Sequence, residues 1–505
     1  MGKFISFKTS VIIILILSAF LRFYNLPNSF VFAGDEEHQA ILAQSLIKHF
    51  HIIWIGVNAA HLGFYLGPFW AYFTAFWLWI SKGNPLITGY VSSVIGVLTT
   101  TLVIFAGKSM FGKKTALLTG LLYASLPLIV FLDQKYWNPS TIPFLSVCIL
   151  LSLYKLKDNP RWLSLFAVSF GLIFHTHLSL LPIFFIFIFW IIFKRIRLSK
   201  KIIFSSAFLF LLTISPLIAF DYFHKGSNIG TPLRFNEIAA APENRINPVH
   251  HFTALFQTLG RIWYIKPISN NSDELISSCA YSSRTDTNPI LNIISTRFNP
   301  PVWLSLASLI LILTFLINKS TWQKDQYILL SLFLITIIGS FLLFPGGAYE
   351  YYLLGIFPLL LFIPGIFSDY YKKGIKVVYL SVFILSFLGI FTIATNNPVF
   401  GLAGKEDLVK RVIQQIDDQP FELKQTGLCH FYEAWRYLFV ENGKTPERSD
   451  SDQGLGWLYQ NEITGKPVKY TVIMSESRYP VKFDITGATV INSKGFTAYV
   501  FKDKI

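Results

Sequence analysis

Long apolar runs separated by short polar connections fill the chain up to about residue 395. A helix crosses the hydrocarbon core of a bilayer with roughly 20 residues. Runs of spanning length lie at about 86–107, 115–132, 139–154, 162–176, 178–193, 202–220, 302–317, 327–344, 351–367 and 375–394. A further run, Val11 to Leu21, follows Lys3 and Lys8 and has no convincing cleavage site after it. This run predicts an uncleaved anchor with a cytoplasmic N-terminus, whose Arg22 snorkels to the far surface.

Basic residues are concentrated in every second connection between the runs. The five clusters are Lys108, Lys113 and Lys114; Lys155, Lys157 and Arg161; Lys194, Arg195, Arg197, Lys200 and Lys201; Lys319 and Lys324; and Lys372, Lys373 and Lys376. All five are cytoplasmic, as the positive-inside rule requires, only if the segment from Phe64 to Ile80 does not cross the membrane. Because that segment is rich in Trp, Phe and Tyr, we expect an interfacial or re-entrant element there. The prediction is about eleven spans.

The overall composition fits a membrane protein. Of the 505 residues, 53% are hydrophobic and only 14% are charged, whereas soluble domains average roughly 25% charged residues. The net charge of +15 would suggest nucleic acid binding in a soluble protein. Here the excess of Lys and Arg is explained by cytoplasmic connections, so we predict no nucleic acid partner.

The outer polar segments predict the domain organisation. Residues 1–395 form a membrane domain, with a first outer loop over 27–85 and a long outer loop over 221–301. In the tail, 405–417 has helical periodicity, whereas 470–474 and 497–502 read as strands. Residues 396–505 therefore predict a small extracytoplasmic α/β domain attached to an all-α membrane bundle. Cys279 and Cys429 lie in polar segments, and both a disulfide and free thiols stay open.

Acidic residues are scarce, so their positions carry information. Asp35 and Glu36 begin the first outer loop, immediately before a short amphipathic helical pattern. Asp35 could cap that helix, and a carboxylate fixed at a helix start could equally serve as a general base. Asp133 lies in an outer turn between two spans, where it could act in chemistry or cap the span that begins near Pro139.

A second group of candidates lies at the same outer depth. It consists of Lys135, His175, His177, Arg261, Glu350 and Tyr351. Lys135 would suit a phosphate, or it could snorkel at the interface. His175 and His177 point to different sides of a helix, so they make a poor joint metal site. Arg261 lies on a stretch, 250–268, that could simply anchor to the membrane surface, and Tyr351 could belong to an interfacial aromatic belt.

These motifs resemble a known family. The start Gly34-Asp35-Glu36, the turn Phe111-Gly112-Lys113 and the turn Asp133-Gln-Lys-Tyr-Trp-Asn-Pro139 are similar to those of the GT-C fold membrane glycosyltransferases. The nearest branches are the bacterial and archaeal relatives of dolichyl-phosphate-mannose protein mannosyltransferases and the lipid A aminoarabinose transferases. The resemblance covers about residues 1–370.

The resemblance implies an inverting transfer of a monosaccharide from a polyprenyl phosphate to a glycan, lipid or protein hydroxyl at the outer face. Asp35 matches the catalytic acid, Glu36 its neighbour and Asp133 the acid of the second outer loop. The sequence departs from the pattern at His175-Thr-His177, where the aminoarabinose branch has a Lys, and at Glu350, where a basic residue or His precedes paired tyrosines. Participation of a divalent metal ion stays open, and no other cofactor is expected.

Two rival classes of function are compatible with many spans. A transporter or lipid flippase would place polar residues near the bilayer midplane, often in two related halves. In this chain the acids gather at one face and no internal repeat is found. A non-enzymatic scaffold for cell-wall assembly would tolerate replacement of Asp35 and Asp133. The distribution of the acids favours the transferase.

Overall fold

Apolar helices form most of the computed structural model, which describes residues 6–58, 64–233, 248–265, 301–344, 347–370, 374–417, 419–427, 429, 431–477, 479, 481 and 483–502. In chain order the helices of the first 233 residues are α1 (Phe7–Phe23), α2 (Leu26–Ser29), α3 (Asp35–Lys48), α4 (Phe69–Ile80), α5 (Leu86–Met110), α6 (Lys113–Ser125), α7 (Pro127–Gln134), α8 (Ile142–Leu156), α9 (Trp162–Thr176), α10 (Ile183–Phe193), α11 (Lys200–Phe223) and α12 (Gly230–Leu233). The helices that follow are α13 (Pro248–Arg261), α14 (Val302–Ile317), α15 (Asp325–Leu342), α16 (Phe357–Tyr370), α17 (Ile375–Thr395), α18 (Leu402–Ile416), α19 (Trp435–Glu441) and α20 (Asp452–Leu455).

The described helices include part of the predicted set of spans. Among the described residues, six helical segments are long and apolar enough to cross a membrane, and a seventh counts if α6 and α7, bent by 62°, form one span. The six are Leu86–Met110, Asn138–Leu156, Lys200–Phe223, Asp325–Leu342, Glu350–Ser368 and Ile375–Thr395. Three other predicted spans coincide with shorter apolar helices, Trp162–Thr176, Leu178–Phe193 and Val302–Ile317. The predicted total of eleven is therefore not confirmed.

The aromatic segment before α5 forms a short helix. Helix α4 has 12 residues, which at 1.5 Å per residue gives a length of about 18 Å. The hydrocarbon core is about 30 Å thick, so α4 is too short to cross it alone. The buried side of α4 packs against α3. The hydroxyl groups of Thr74 and Tyr136 share a hydrogen bond of 2.8 Å.

The predicted snorkelling of Arg22 is wrong. The Arg22 side chain is fully buried and its guanidinium pairs with Asp133. The same group donates to the carbonyl oxygens of Tyr123 and Ala124 at 3.1 and 3.2 Å. A partner carboxylate on another helix satisfies the cation inside the bundle, so it has no need to reach the surface.

One end of the bundle gathers basic connections. The Asp325 carboxylate forms ion pairs with the Nζ atoms of Lys157 and Lys194 at 2.9 and 2.6 Å. These pairs join three connections that are far apart in sequence. The ammonium groups of Lys108 and Lys113 lie over the ring of Phe7, in the first turn of α1. The beginning of the chain and the first basic cluster therefore share one end of the molecule, as the alternating charge pattern predicts.

The C-terminal part is an α/β unit, as predicted. Its strands are β1 (Phe421–Thr426), β2 (Arg448–Ser449), β3 (Tyr470–Glu476), β4 (Thr489–Ser493) and β5 (Phe496–Lys502). The sheet order is β2-β1-β3-β5-β4, with β1 parallel to β2 and β3 and with β5 antiparallel to β3 and β4. Helix α18 packs on the sheet, where Leu408, Val409 and Val412 are completely buried.

The α/β unit shares its core with the first outer loop. Phe30 and Phe32 pack in the same buried cluster as residues of the sheet and α19. The backbone N–H of Leu402 donates to the Phe30 carbonyl at 2.8 Å, and that of Ala434 donates to the Glu37 carboxylate at 2.9 Å. Residues 396–502 are therefore docked on α3 and its flanking segments through a continuous core.

The cysteines behave differently from one another. Cys148 is buried and free, whereas Cys429 forms a disulfide. Cys279 lies outside the described residues. A disulfide in the C-terminal unit is typical of a compartment outside the cytoplasm.

Candidate functional site

Asp35 occupies the first turn of α3. Gly34, with a φ of +65°, is the N-cap, so the idea that Asp35 itself caps the helix is wrong. The Asp35 side chain is partly exposed, and its Oδ2 accepts a hydrogen bond from the indole N–H of Trp137 at 2.5 Å. The helix dipole also favours a negative charge at this end. The Asp35 carboxylate is therefore oriented by Trp137 and lies at the positive end of the α3 dipole.

Glu36 and Lys135 form a buried ion pair beside Asp35. Their Oε1 and Nζ atoms are 2.5 Å apart, and neither side chain exposes more than 3% of its surface. Burial raises the pKa of Glu36 to about 7, although the Lys135 ammonium opposes that rise. The same ammonium lies 5.1 Å from the centre of the Trp137 ring. Lys135 is therefore held between the acids of α3 and the indole that orients Asp35.

Asp133 lies at the other end of this turn and faces a different partner. Its Oδ2 accepts from Nη2 and Nε of Arg22 at 2.6 and 2.9 Å. Gly96 faces the pair, and a Cβ atom at that position would come within 2.6 Å of the Arg22 Nε. The structure therefore joins Asp133 to α1 and α5, whereas it joins Lys135 and Trp137 to α3.

Two further hydrogen bonds hold the turn in place. Ser92 of α5 donates to the carbonyl of Lys135 at 2.6 Å, and Gln39 of α3 donates to the side chain of Asn138 at 3.2 Å. Gln39 stands one helical turn after Asp35, so the same face of α3 contacts the neighbouring residues Trp137 and Asn138. This explains how residues a hundred positions apart keep a fixed distance.

An aromatic cluster extends the site beyond Trp137. The ring of Tyr351 lies edge-on to Trp137 with centroids 4.7 Å apart. His177 contacts Tyr351 and Tyr352, with centroid distances of 5.3 and 4.8 Å. The His177 Nδ1 also accepts from the N–H of Ser179 at 3.2 Å. Asp35, Trp137, Tyr351 and His177 thus form one chain of contacts.

Glu350 and Arg261 form a second buried acid–base pair. The Arg261 Nη1 lies 3.2 Å from Oε2 of Glu350, and their side chains are 11% and 7% exposed. The hydroxyl of Thr258, one turn before Arg261 on α13, lies 3.4 Å from the same oxygen. Since Glu350 precedes Tyr351, this pair adjoins the aromatic cluster. The predicted surface stretch 250–268 is instead packed into the bundle at Leu255 and Leu259, and its part after 265 lies outside the described residues.

His175 has a different environment from His177. Its Nε2 donates to the carbonyl of Thr213 at 2.8 Å, and its Nδ1 accepts from the N–H of Phe69 at 3.3 Å. Gly67 lies against the imidazole, where a Cβ atom would overlap the ring. His175 therefore connects α9, α11 and the start of α4 through backbone groups, and both of its nitrogens are engaged.

Glu37 faces away from Asp35 towards the C-terminal unit. Its Oε2 accepts from the Ala434 N–H, and burial raises the pKa of Glu37 to about 8. Nearby, Lys405 contacts the Glu433 carboxylate at 3.4 Å, with both side chains buried. Three consecutive acids on α3 thus have three different surroundings.

Trp137 is the site residue to which the sequence assigned no role. Its indole contacts Asp35, Lys135 and Tyr351, from three separate segments of the chain. No periodicity marks it, and only its place within the turn Asp133–Pro139 could have drawn attention to it. Among the described residues, no group of three or more His, Cys, Asp or Glu side chains is arranged to hold a metal ion.

Known proteins resemble this chain in sequence over one region and in fold over nearly all of it. Residues 66–220 match the family model for dolichyl-phosphate-mannose-protein mannosyltransferases. No curated protein sequence matches the chain significantly. The matched region contains Lys135, Trp137, His175 and His177, whereas Asp35 lies before it.

The fold is similar to those of two solved membrane proteins. ArnT from Cupriavidus metallidurans, bound to undecaprenyl phosphate, superposes with a TM-score of 0.58 at 12% identity, covering 97% of each chain. Its apo form gives a TM-score of 0.54 at the same identity and coverage. The oligosaccharyltransferase of Archaeoglobus fulgidus in its apo form gives 0.50 at 13% identity, covering 92% of this chain and 69% of that one. The matched family model and the shared fold confirm the resemblance of this chain to the GT-C membrane glycosyltransferases.

Proposed function

We propose that the protein is an integral membrane glycosyltransferase that moves a monosaccharide from a polyprenyl phosphate to an acceptor hydroxyl at the outer face. Glycan, lipid and protein acceptors all fit this chemistry. The observation that carries the proposal is the environment of Asp35. A partly exposed carboxylate begins an outer helix, one of its oxygens is fixed by an indole N–H, and two buried acid–base pairs lie around it.

The proposed reaction is a single displacement. Asp35 takes the proton of the acceptor hydroxyl while the acceptor oxygen attacks the anomeric carbon. The bond from that carbon to the phosphate oxygen breaks, and the polyprenyl phosphate leaves with the bonding electrons. The Asp35 carboxylate, whose Oδ2 accepts from the indole N–H of Trp137, is the group to which we assign the proton. One displacement inverts the anomeric configuration.

Lys135 and Arg261 are the cations we assign to the departing phosphate. Each is paired with a carboxylate, Glu36 or Glu350, so the phosphate has to share or replace that partner. Because burial raises the pKa of Glu36 to about 7, its carboxyl group can take up a proton near neutral pH. A neutral Glu36 would leave the charge of Lys135 for the phosphate. His177 and Tyr351 would line the sugar site, and Asp133 would hold the turn through Arg22.

The outward position of the acids determines the donor. Nucleotide sugars are made in the cytoplasm and do not cross the membrane, so an outer site needs a sugar that is already attached to lipid. Helix α4 exposes Phe76 and Trp79, which suit contact with the lipid tail. ArnT was solved with undecaprenyl phosphate bound, which supports this class of donor.

The test is transfer by purified protein in liposomes from a polyprenyl monophosphate sugar. We expect Asp35→Asn to lower the rate by about 100 to 10,000-fold, since Asn keeps the size and loses the proton acceptor. Asp407→Asn, at an exposed position of α18, is the matched control and should transfer normally. Normal turnover by Asp35→Asn would assign Asp35 to structure. Efficient turnover with free UDP- or GDP-sugars and no lipid carrier would contradict the donor class.

A further inference from the structure

A cavity of about 220 Å³ lies between α3 and the C-terminal unit, away from Asp35. Its walls come from the C-terminal half of α3, including Gln44 and Lys48, and from the segment 457–462 with Arg436 of α19. Gln44 follows Asp35 by nine residues on the same helix, which corresponds to about 14 Å along the axis. The cavity and the proposed base are therefore held at a fixed separation by one rigid element.

Aromatic rings and amides line the cavity. Trp457 is 64% exposed, which is unusual for a Trp outside a membrane or an interface. The ring of Tyr459 is held by the guanidinium of Arg436, which lies 4.0 Å from its centre. Asn461 and Gln44 add side-chain amides, each of which can both donate and accept hydrogen bonds.

The charged groups of the cavity are already paired with one another. Lys48 of α3 contacts Glu462 at 2.6 Å, and Arg436 contacts the other oxygen of Glu462 at 3.3 Å. Arg436 also lies 3.8 Å from Asp452. Each of these cations faces a carboxylate, so their charges largely cancel. The cavity lining therefore offers hydrogen-bonding groups with little net charge. This favours an uncharged polar ligand over a phosphate.

We propose that this cavity binds carbohydrate, with one sugar ring packed on Trp457 or Tyr459 and its hydroxyls bonded to Asn461, Gln44 and Glu462. Aromatic faces suit the C–H face of a sugar ring, and amides and carboxylates suit its hydroxyls. The identification of this sugar as a remote part of the acceptor rests on the proposed function, whereas carbohydrate binding itself does not. A glycan held here would reach along α3 with its reactive end near Asp35.

The test is saturation-transfer difference NMR of the full-length protein in detergent with maltotriose, mannotriose and chitotriose. We expect at least one trisaccharide to receive saturation, and Trp457→Ala to weaken its binding about tenfold or more. Asn461→Ala should weaken it as well. The matched control is Phe431→Ala, another exposed aromatic of the C-terminal unit that does not line the cavity. Inorganic phosphate at the same concentration should not compete.

The outcomes separate this proposal from the proposed function. Asp35→Asn should bind the trisaccharide as the wild type does while losing transfer. Absence of saturation transfer to all three sugars, or equal binding by Trp457→Ala and wild type, would overturn the carbohydrate site and leave the role of Asp35 intact. Competition by phosphate would also overturn it, since the ligand would then be an anion. Binding without any transfer activity would instead contradict the proposed function alone.

Discussion

At the scale of single residues, the three consecutive acids Asp35, Glu36 and Glu37 differ in burial and in hydrogen-bond partner. Asp35 is partly exposed and accepts from Trp137, Glu36 is buried against Lys135, and Glu37 is buried against the backbone of Ala434. Burial raises the pKa of Glu36 to about 7 and that of Glu37 to about 8. Desolvation is the largest cause of the raised pKa at both buried acids, Glu36 and Glu37.

The Trp137 indole offers a direct test of how Asp35 is oriented. Trp137→Phe keeps an aromatic ring against Lys135 and Tyr351 and removes the N–H that Asp35 accepts. A hydrogen bond to a charged group is worth about 1.5–3 kcal/mol. We expect kcat to fall by roughly 10 to 100-fold with little change in KM, because the carboxylate loses its orientation towards the acceptor. Steady-state kinetics with the lipid-linked donor measures this.

Trp190→Phe is the matched control for that variant. Trp190 is also fully buried, and its N–H donates to the carbonyl of Leu153 at 3.0 Å, near the basic end of the bundle. This variant should lower the melting temperature and leave kcat unchanged. Equal kinetic effects of the two substitutions would show that Trp137 acts only through stability.

At the scale of secondary-structure elements, the ion pair Arg22–Asp133 forms a junction between helices that are far apart in sequence. Arg22 lies at the end of α1 and Asp133 near the end of α7, and the Arg22 guanidinium also bonds the carbonyls that end α6. Gly96 of α5 makes room for the pair. The turn with Lys135 and Trp137 starts directly after this junction, so its position depends on the junction.

The junction can be tested by a double-mutant cycle. Removing one partner of a buried ion pair costs about 3–5 kcal/mol, since the other charge is left unpaired. We therefore expect Arg22→Met and Asp133→Asn each to lower the melting temperature strongly, and the double variant to recover part of the loss. Thermal unfolding in detergent measures the coupling, and transfer by the double variant measures any role in chemistry.

The exposed pair Arg411–Asp407 is the control for this cycle. Its side chains are 54% and 45% exposed, and such pairs contribute at most about 1 kcal/mol. Arg411→Met should leave stability nearly unchanged. If the Arg22–Asp133 double variant regains stability but remains inactive, Asp133 has a chemical role of the kind the resemblance implied. Restored activity would make it a positioning residue.

At the scale of the whole molecule, the features that the sequence predicted are local ones. Apolar runs, basic connections and strand alternation depend on neighbouring residues, and the helices over 86–110 and 375–395 and the strands of the tail agree with them. The contacts Trp137–Asp35 and Arg22–Asp133 join residues about a hundred positions apart. No periodicity encodes such pairs, so Arg22 was expected at the surface and Trp137 received no role.

The two ends of the molecule give the last prediction, which concerns sidedness. Single cysteines at Lys113 and Lys157, both exposed at the basic end, should resist an impermeant thiol reagent in intact cells and react after permeabilisation. Cysteines at His51 and Lys466, exposed on the α3 and C-terminal side, should react without it. The wild-type protein, with its three native cysteines, is labelled in parallel as the background; of the two that the structure describes, Cys148 is buried and Cys429 is in a disulfide. Labelling at Lys113 in intact cells, with protection at His51, would mean that the whole molecule is inverted in the membrane, and Asp35 would then face the cytoplasm, where a nucleotide sugar could serve as donor.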